Sequence, residues 1–335
     1  MNKEIKSLYR VYRPRQFLDV IGQDHITRTL TNQIVAGAVG HAYLFCGTRG
    51  TGKTSVAKIF ANAVNCLNFK EKGKVCGTCE NCKKSNIDVF ELDAASNNRV
   101  EDVREIIDKV KYPPIFGKYK VYIVDEVHMF SASAFNAFLK TLEEPPSHVI
   151  FILCTTEAHK LLPTVQSRCL RFDFRTVATV QIEKLINGIF KKENIMADAD
   201  AVSLIADAGR GCVRDALSFA ETVTAYCGGK KITAADVGEV LGSVDVKVLK
   251  ELLSATLAQQ ADRIVSVTEK IFSVGRNTNA VVRAFLDEIR NQFIATKNAR
   301  LMEIYKTFAE LEINIKTAIE AKNMFEGACL VAAFT

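Results

Sequence analysis

The sequence has no stretch approaching the ~18 consecutive apolar residues that a membrane-spanning helix needs. Its first segment, Met1 to Arg15, is charged and has no apolar core of the signal-peptide kind, so a cytoplasmic protein with no membrane partner is expected. There is no internal repeat, no long Pro-rich or Ser-rich linker and no charge run of five or more, and nothing reads as low complexity. With 48% hydrophobic and 24% charged residues the composition is that of a globular protein, which sets aside disordered and fibrous classes. The formal charge is only +6, compatible with a polyanionic partner but common among proteins that bind no nucleic acid. What is present is length: 335 residues exceed one ordinary core of roughly 100 to 200 residues, so two or three domains are expected.

Between residues 42 and 175, short apolar runs alternate with helical patterns, the signature of a parallel sheet flanked by helices. The strands read as Ala42–Cys46, Val89–Leu92, Val121–Val124, Val149–Cys154 and Cys169–Phe172. Each ends beside polar residues of functional type, and such sheets bind ligands at the carboxyl ends of their strands. After Phe174 amphipathic patterns take over, at Val180–Lys192, Ala199–Ala208, Val213–Cys227 and Ala234–Leu241, and predict a small helical domain. Gly228-Gly229 closes its third helix, and Thr233 caps the fourth with Asp236 at the reciprocal position. From Asp245 onward, Val281, Phe285, Ile289 and Phe293 fall at helical intervals and predict a third, all-α domain. The expected division is 1–178, 179–243 and 244–335.

Gly47-Thr48-Arg49-Gly50-Thr51-Gly52-Lys53-Thr54 satisfies G-x-x-x-x-G-K-[ST] directly after a strand and before the helical run Ser55 to Asn65, the context of a P-loop. Its glycines let backbone N–H groups curl around a polyphosphate, and the helix start adds a positive dipole end. Lys53 is expected to reach the β- and γ-phosphates of ATP and Thr54 to hold Mg2+. The strand Val121–Val124 then delivers Asp125, expected on Mg2+, and Glu126, expected to polarise the attacking water as general base. Acidic pairs also follow apolar strands as helix N-caps; it is the P-loop that gives this pair a chemical reading.

Six of the ten cysteines (Cys46, Cys154, Cys169, Cys212, Cys227, Cys329) stand singly in apolar runs, as reduced core cysteines do. Cys66, Cys76, Cys79 and Cys82 instead follow C-x9-C-x2-C-x2-C. Structural, tetrahedral Zn2+ is the expected occupant, with Gly73 and Gly77 supplying turns and nearby lysines partial charge compensation. A redox disulfide or an iron–sulfur cluster is the alternative.

Asp125-Glu126-Val127-His128-Met129, Leu139-Lys140-Thr141-Leu142-Glu143-Glu144-Pro145-Pro146 and Ser167-Arg168-Cys169 together resemble the clamp-loader branch of the AAA+ ATPases, most closely the bacterial gamma/tau subunits of DNA polymerase III. Tyr9-Arg10-Val11-Tyr12-Arg13-Pro14 with Phe17, Val20, Ile21, Gly22 and Gln23 resembles that family's adenine-embracing N-terminal signature, and the resemblance covers essentially the whole chain. It implies a P-loop AAA+ sheet with a helical lid, followed by an all-α collar, and ATP, Mg2+ and Zn2+ as cofactors. Tyr9 and Arg10 join residues 47–55 as nucleotide-binding candidates. Arg168 becomes an arginine finger presented to ATP on the neighbouring subunit, a device worth about 10³ to 10⁵ in turnover elsewhere. Thr156, favoured over Thr155 by its spacing to Arg168, takes the sensor 1 position. Gly211-Cys212-Val213-Arg214-Asp215-Ala216-Leu217 resembles the sensor 2 segment, with Arg214 reaching the nucleotide; Cys212 departs from the small polar residue expected there. Without the family, Arg168 would read as a surface ion-pair residue and the two threonines as an ordinary strand end.

The family carries a similar zinc module in the same place, with a first spacing usually one residue shorter, a difference that loop closure tolerates. The module argues against the delta-prime relative, which usually lacks a full P-loop. The implied function is an ATP-hydrolysing motor that opens a sliding clamp and loads it on primed DNA. Its implied partners are the delta and delta-prime subunits, further gamma/tau copies, the beta clamp and primed template DNA. Asn98, Arg99 and Lys140 are candidates for backbone phosphate contacts, with solvated surface residues as the competing reading. The apolar stripes of the last domain divide between oligomer contacts and its own core. The chain ends about where that collar should end, so the tail that tethers polymerase and helicase is not expected in it. One rival is a helicase or branch-migration AAA+ motor, which should carry a winged-helix domain in place of the collar. The other is a nucleotide-bound scaffold without turnover, which the intact Lys53, Asp125, Glu126 and Arg168 oppose.

Overall fold

The computed structural model describes residues 7–84, 87–242, 246–273, 278–315 and 320–334. The boundary expected at 243/244 and the helix start expected at Asp245 lie outside the described residues. The chain falls into two compact units, Met1–Ile195 with Val202–Glu221, and Met196–Ala201 with Thr222–Thr335.

The first unit is built on one parallel sheet of β1 (Ala42–Cys46), β2 (Val89–Asp93), β3 (Lys120–Asp125), β4 (Val149–Thr155) and β5 (Leu170–Asp173), in the order β2-β3-β4-β1-β5. Its helices are α1 (Leu8–Val11), α2 (Asp24–Ala36), α3 (Lys53–Asn65), α4 (Phe69–Lys72), α5 (Glu80–Lys83), α6 (Val100–Val110), α7 (Ala132–Glu143), α8 (Pro163–Gln166) and α9 (Thr179–Glu193), joined by parts of α10 (Ala199–Ala208) and α11 (Val213–Cys227). The five expected strands are all present, most of them a residue or so longer than their apolar runs; β5 starts at Leu170 rather than Cys169.

Period-two alternation sends side chains to opposite faces of a sheet. Tyr43, Phe45, Val121, Ile123, Ile150 and Ile152 pack with Leu30, Val56 and Phe60 from α2 and α3. Leu44, Tyr122, Val124, Phe151 and Leu153 pack on the other face with Val103 and Ile106 of α6 and Phe135 and Phe138 of α7. Because both faces are covered, β1 and β4 are buried along their whole length, which is why they read as unbroken apolar runs. The carboxyl ends of β1, β3 and β4 lie side by side, so their following residues converge on one edge.

The second unit is all helical: α12 (Ala234–Leu241), α13 (Val246–Leu257), α14 (Ala261–Phe272), α15 (Thr278–Thr296), α16 (Arg300–Asn314) and α17 (Ala321–Phe334). The Thr233 hydroxyl accepts from Asp236 N–H while the Asp236 carboxylate accepts from Thr233 N–H, the reciprocal cap expected for α12. Phe285, Phe308 and Phe325 meet edge-to-face at the centre of the core, with centroids 4.8 to 5.9 Å apart. Val281 and Ile289 are buried beside them, and Phe293 packs at the margin. Cys46, Cys154, Cys227 and Cys329 are buried, whereas Cys169 and Cys212 are only half-buried, Cys169 packing at the margin of the core. Among the described residues no helix is long and apolar enough to cross a membrane.

Candidate nucleotide site and cysteine cluster

Residues 47–52 connect β1 to α3 at the carboxyl edge of the sheet. Gly47 has φ +149° and lies so close to β5 that a Cβ there would meet the Phe174 carbonyl at 2.6 Å. Gly50, at φ +74°, lies against the start of α11: a Cβ would stand 2.0 Å from Cys212 Sγ. Only glycine gives the loop this backbone and this closeness. Gln23 is wholly buried behind the loop and ties it to the chain after β5: its Nε2 donates to the Thr51 carbonyl at 3.4 Å and to the Arg175 carbonyl at 2.6 Å, while its Oε1 accepts the Arg175 N–H.

The Lys53 ammonium donates to the carbonyls of Gly47 at 2.8 Å and Thr48 at 3.0 Å, which holds it over the loop. Burial draws its pKa below the ordinary lysine value, opposed chiefly by Glu126. Thr54 Oγ1 donates to Asp125 Oδ2 at 2.8 Å, placing two hard oxygen ligands side by side at the loop's end, as a bound Mg2+ requires. Glu126 follows in left-handed backbone, φ 47°, an orientation that costs a residue with a Cβ roughly 1 to 2 kcal/mol. Its Oε2 accepts from the Thr156 N–H at 3.2 Å and hydroxyl at 2.9 Å. Thr156 is therefore brought to the acidic pair, and Thr155 is buried beneath it.

A cleft of about 550 Å3 opens over these groups, lined among others by Tyr9, Arg13, Ile21, Lys53, Glu126 and Arg214. Arg214, on the first turn of α11, stands 4.9 Å from the centre of the Tyr9 ring, and Arg10 Nε donates to the Tyr9 hydroxyl. The expected N-terminal and sensor 2 segments thus meet over the loop. Arg168 lies apart from the cleft lining, half-exposed, its Nη2 2.6 Å from Glu143 Oε1. Asn98, Arg99 and Lys140 are exposed; Arg99 opens α6, with its N–H on the Asp102 carboxylate at 3.1 Å.

Cys66, Cys76, Cys79 and Cys82 converge with all four sulfurs within 4.8 Å of one another. The Cys76 and Cys82 sulfurs are 3.8 Å apart, close to the ~3.8 Å edge of a tetrahedron with Zn–S bonds of about 2.3 Å. The N–H groups of Cys79 and Thr78 draw the Cys76 thiol down to about 5, whereas burial pushes Cys66 and Cys82 up. A sulfur set with one thiolate already favoured fits a thiophilic dication.

Three residues in this arrangement carried no individual role in the sequence reading, although Arg13 and Gln23 belong to the N-terminal signature. Arg13 donates from Nε to Ser55 Oγ at 3.0 Å, Gln23 clamps the loop, and His128 reaches Thr155 Oγ1 at 3.1 Å. All three stood within the family words, and their local spacing holds no sign of a partner 27 to 152 residues away.

Residues 22–178 match the family model for DNA polymerase III, delta subunit; 181–229 that for the DNA polymerase III clamp loader subunit, ATPase lid domain; and 232–323 that for DNA polymerase III subunits gamma and tau domain III. Over 310 residues the chain is 41% identical to DNA polymerase III subunit tau of Bacillus subtilis strain 168, covering 92% of this chain and 53% of that protein. Over 282 residues it is 40% identical to the Escherichia coli K12 subunit tau, covering 82% and 43%. The chain thus spans about half the length of the curated relatives it matches. Among solved structures, the Thermotoga maritima RuvB Holliday junction branch migration motor is similar with a TM-score of 0.54, over 84% of this chain and 91% of that one. At 16% identity this is a likeness of fold alone. With its P-loop edge, its lid segment and its gamma and tau domain III, the chain belongs to the gamma/tau family of DNA polymerase III clamp-loader subunits.

Proposed function

We propose that this chain is an ATP-hydrolysing motor subunit of a DNA polymerase III clamp loader, which opens the ring-shaped beta clamp and places it on primed DNA. The carrying observation is the convergence of Lys53, the Thr54–Asp125 pair and the Thr156–Glu126 pair on one edge of the sheet. Residues 47–55 cradle the polyphosphate, Lys53 neutralises its terminal groups, and Tyr9 and Arg10 flank the base. Thr54 and Asp125 would hold Mg2+, whose charge eases phosphoryl transfer when bound. Glu126 polarises water, oriented through Thr156, and Arg214 reports the γ-phosphate to α11. Arg168 serves the neighbouring subunit, since it stands away from the cleft of its own chain.

ATP binding forms the clamp-opening state, and hydrolysis releases clamp and DNA. Delta, delta-prime and further copies of the chain complete the assembly, in the cytoplasm. The domain division 1–178, 179–243 and 244–335 follows from this reading, with the last segment as collar. Asn98, Arg99 and Lys140 contact the DNA backbone, and Cys66, Cys76, Cys79 and Cys82 hold a structural zinc. The branch-migration alternative is disfavoured because residues 232–323 match gamma and tau domain III where that reading called for a winged helix.

ATP turnover measured for the chain alone, with its partner subunits, and with clamp plus primed DNA is expected to rise at each step, and to vanish with nucleotide binding in K53A. A high rate in the lone chain, unaffected by clamp and DNA, would sink the proposal.

A further inference from the structure

Glu126 Oε2 has a third neighbour besides the two donors of Thr156: His128 Nδ1, 3.4 Å away. The same Nδ1 lies 3.1 Å from Thr155 Oγ1. His128 belongs to the single turn Val127–Met129, which the left-handed backbone of Glu126 folds back beneath the carboxylate, and its side chain is only 8% exposed. An ionised carboxylate can only accept, so the tautomer with the proton on Nδ1 is the one that makes this 3.4 Å approach attractive. Thr155 Oγ1 already accepts the Glu157 N–H at 3.0 Å and has a second lone pair to take part of the same Nδ1–H. The imidazole therefore bridges the end of β4 and the carboxylate that follows β3. Oε2 accepts from the Thr156 pair and stands beside the imidazole, while among the described residues Oε1 has no donor.

We propose that His128 is a positioning residue for Glu126. With Thr155 as its anchor, it fixes Oε2 so that Oε1 is the oxygen presented to the attacking water. The inference rests on the ATPase reading above, and it assigns His128 no contact with nucleotide, for His128 is absent from the lining of the cleft. A general base contributes only when its lone pair is directed at the proton it takes, so a carboxylate free to rotate loses rate and not affinity. The competing role, a buried histidine that merely satisfies its hydrogen bonds, predicts changes in stability without that separation.

The test measures ATP turnover and the affinity for a fluorescent ATP analogue for wild type, H128A, H128N and T155V, each assembled with the partner subunits, clamp and primed DNA, with thermal melting as a folding control. H128A is expected to lower kcat by about tenfold or more while the affinity stays within about twofold. H128N, whose amide nitrogen lies where Nδ1 does, is expected to recover most of the rate. T155V, which removes the anchor alone, is expected to fall between them. The inference is overturned if H128A turns over as wild type, if H128N is as slow as H128A at equal stability, or if affinity falls in step with kcat. Turnover absent from wild type itself overturns the motor reading and this inference with it, an outcome distinct from an active wild type matched by its His128 variants.

Discussion

Arg168 Nη2 stands 2.6 Å from Glu143 Oε1, and its Nη1 donates to the Thr164 carbonyl at 2.8 Å. Two segments that resemble clamp-loader words, one ending α7 and one following α8, thus meet through a single ion pair. Both partners are a third or more exposed, and such surface pairs contribute only about 0 to 1 kcal/mol. The guanidinium is therefore held in one orientation at little cost, and exchanging this partner for another anion would sacrifice little stability.

Arg168→Ala is expected to leave the nucleotide affinity of the lone chain unchanged and to reduce turnover of the assembled loader by about 10³-fold. Mixing mutant and wild-type copies should show the loss at the site facing the mutant. A lone chain hydrolysing at full rate in the R168A form would contradict a pocket shared between subunits.

The contact between Gly50 and Cys212 predicts coupling between the P-loop and α11. Gly50→Ala should weaken ATP binding, because the new methyl would meet Cys212 Sγ at 2.0 Å and the φ of +74° is unfavourable to any Cβ. Adding Cys212→Ala removes the collision but not the backbone cost of roughly 1 to 2 kcal/mol, so the double variant should regain part of the affinity. Strictly additive losses in nucleotide titrations of the four proteins would show that the two residues do not press on each other.

Metal analysis should find one zinc per chain, and Cys79→Ser should abolish it. Removal of zinc by chelation is expected to lower the melting temperature and expose residues 66–84 to protease, with ATP affinity little changed, since the segment meets the N-terminal region through the paired Gln16–Val75 hydrogen bonds and the edge contact of Phe17 with Phe69, none of them residues of the loop at 47–55. Binding of zinc should release protons, because burial keeps the Cys66 and Cys82 thiols protonated and they must give their protons up. Stoichiometric iron, or no metal with full stability, would refute the zinc reading.

Asp88 is buried and accepts the N–H groups of Ile115, Phe116 and Gly117 at 2.6 to 2.8 Å. Burial by itself raises its carboxyl, but the three donors, with Gly117 the strongest, outweigh it and hold the pKa below the ordinary aspartate value. A depressed folded pKa means that the stabilisation is fully present above the unfolded value of about 3.9 and is lost as pH falls through the lower folded value. Asp88→Asn should therefore cost about 1 to 3 kcal/mol at neutral pH. The gap between variant and wild type in denaturant melts should close toward the acid limit; a gap that is constant with pH would assign the cost to geometry alone.

Much of the first unit was legible because its signals are local. A strand buried on both faces must be an unbroken apolar run, as Ala42–Cys46 and Val149–Thr155 are, and a P-loop must carry its glycines where the backbone turns. Helix ends were legible for the same reason, as the Thr233–Asp236 cap shows. Cys212 was not: a half-buried thiol in an apolar segment has the local appearance of a core residue, and its contact with Gly50 joins positions far apart in the chain.

The sequence by itself determined the chemical inventory: a phosphate loop, two carboxylates after a buried strand, four clustered thiols and an arginine after a serine. Each of these is written within a short stretch of the chain, in a spacing that names its chemistry. Only the tertiary structure decided which groups touch, joining Thr54 to Asp125, Thr156 to Glu126, His128 to Thr155 and Arg168 to Glu143. Those pairings depend on which strands lie side by side in the sheet, and strand order is set by the packing of helices on its two faces, a property of the whole unit that no local spacing encodes.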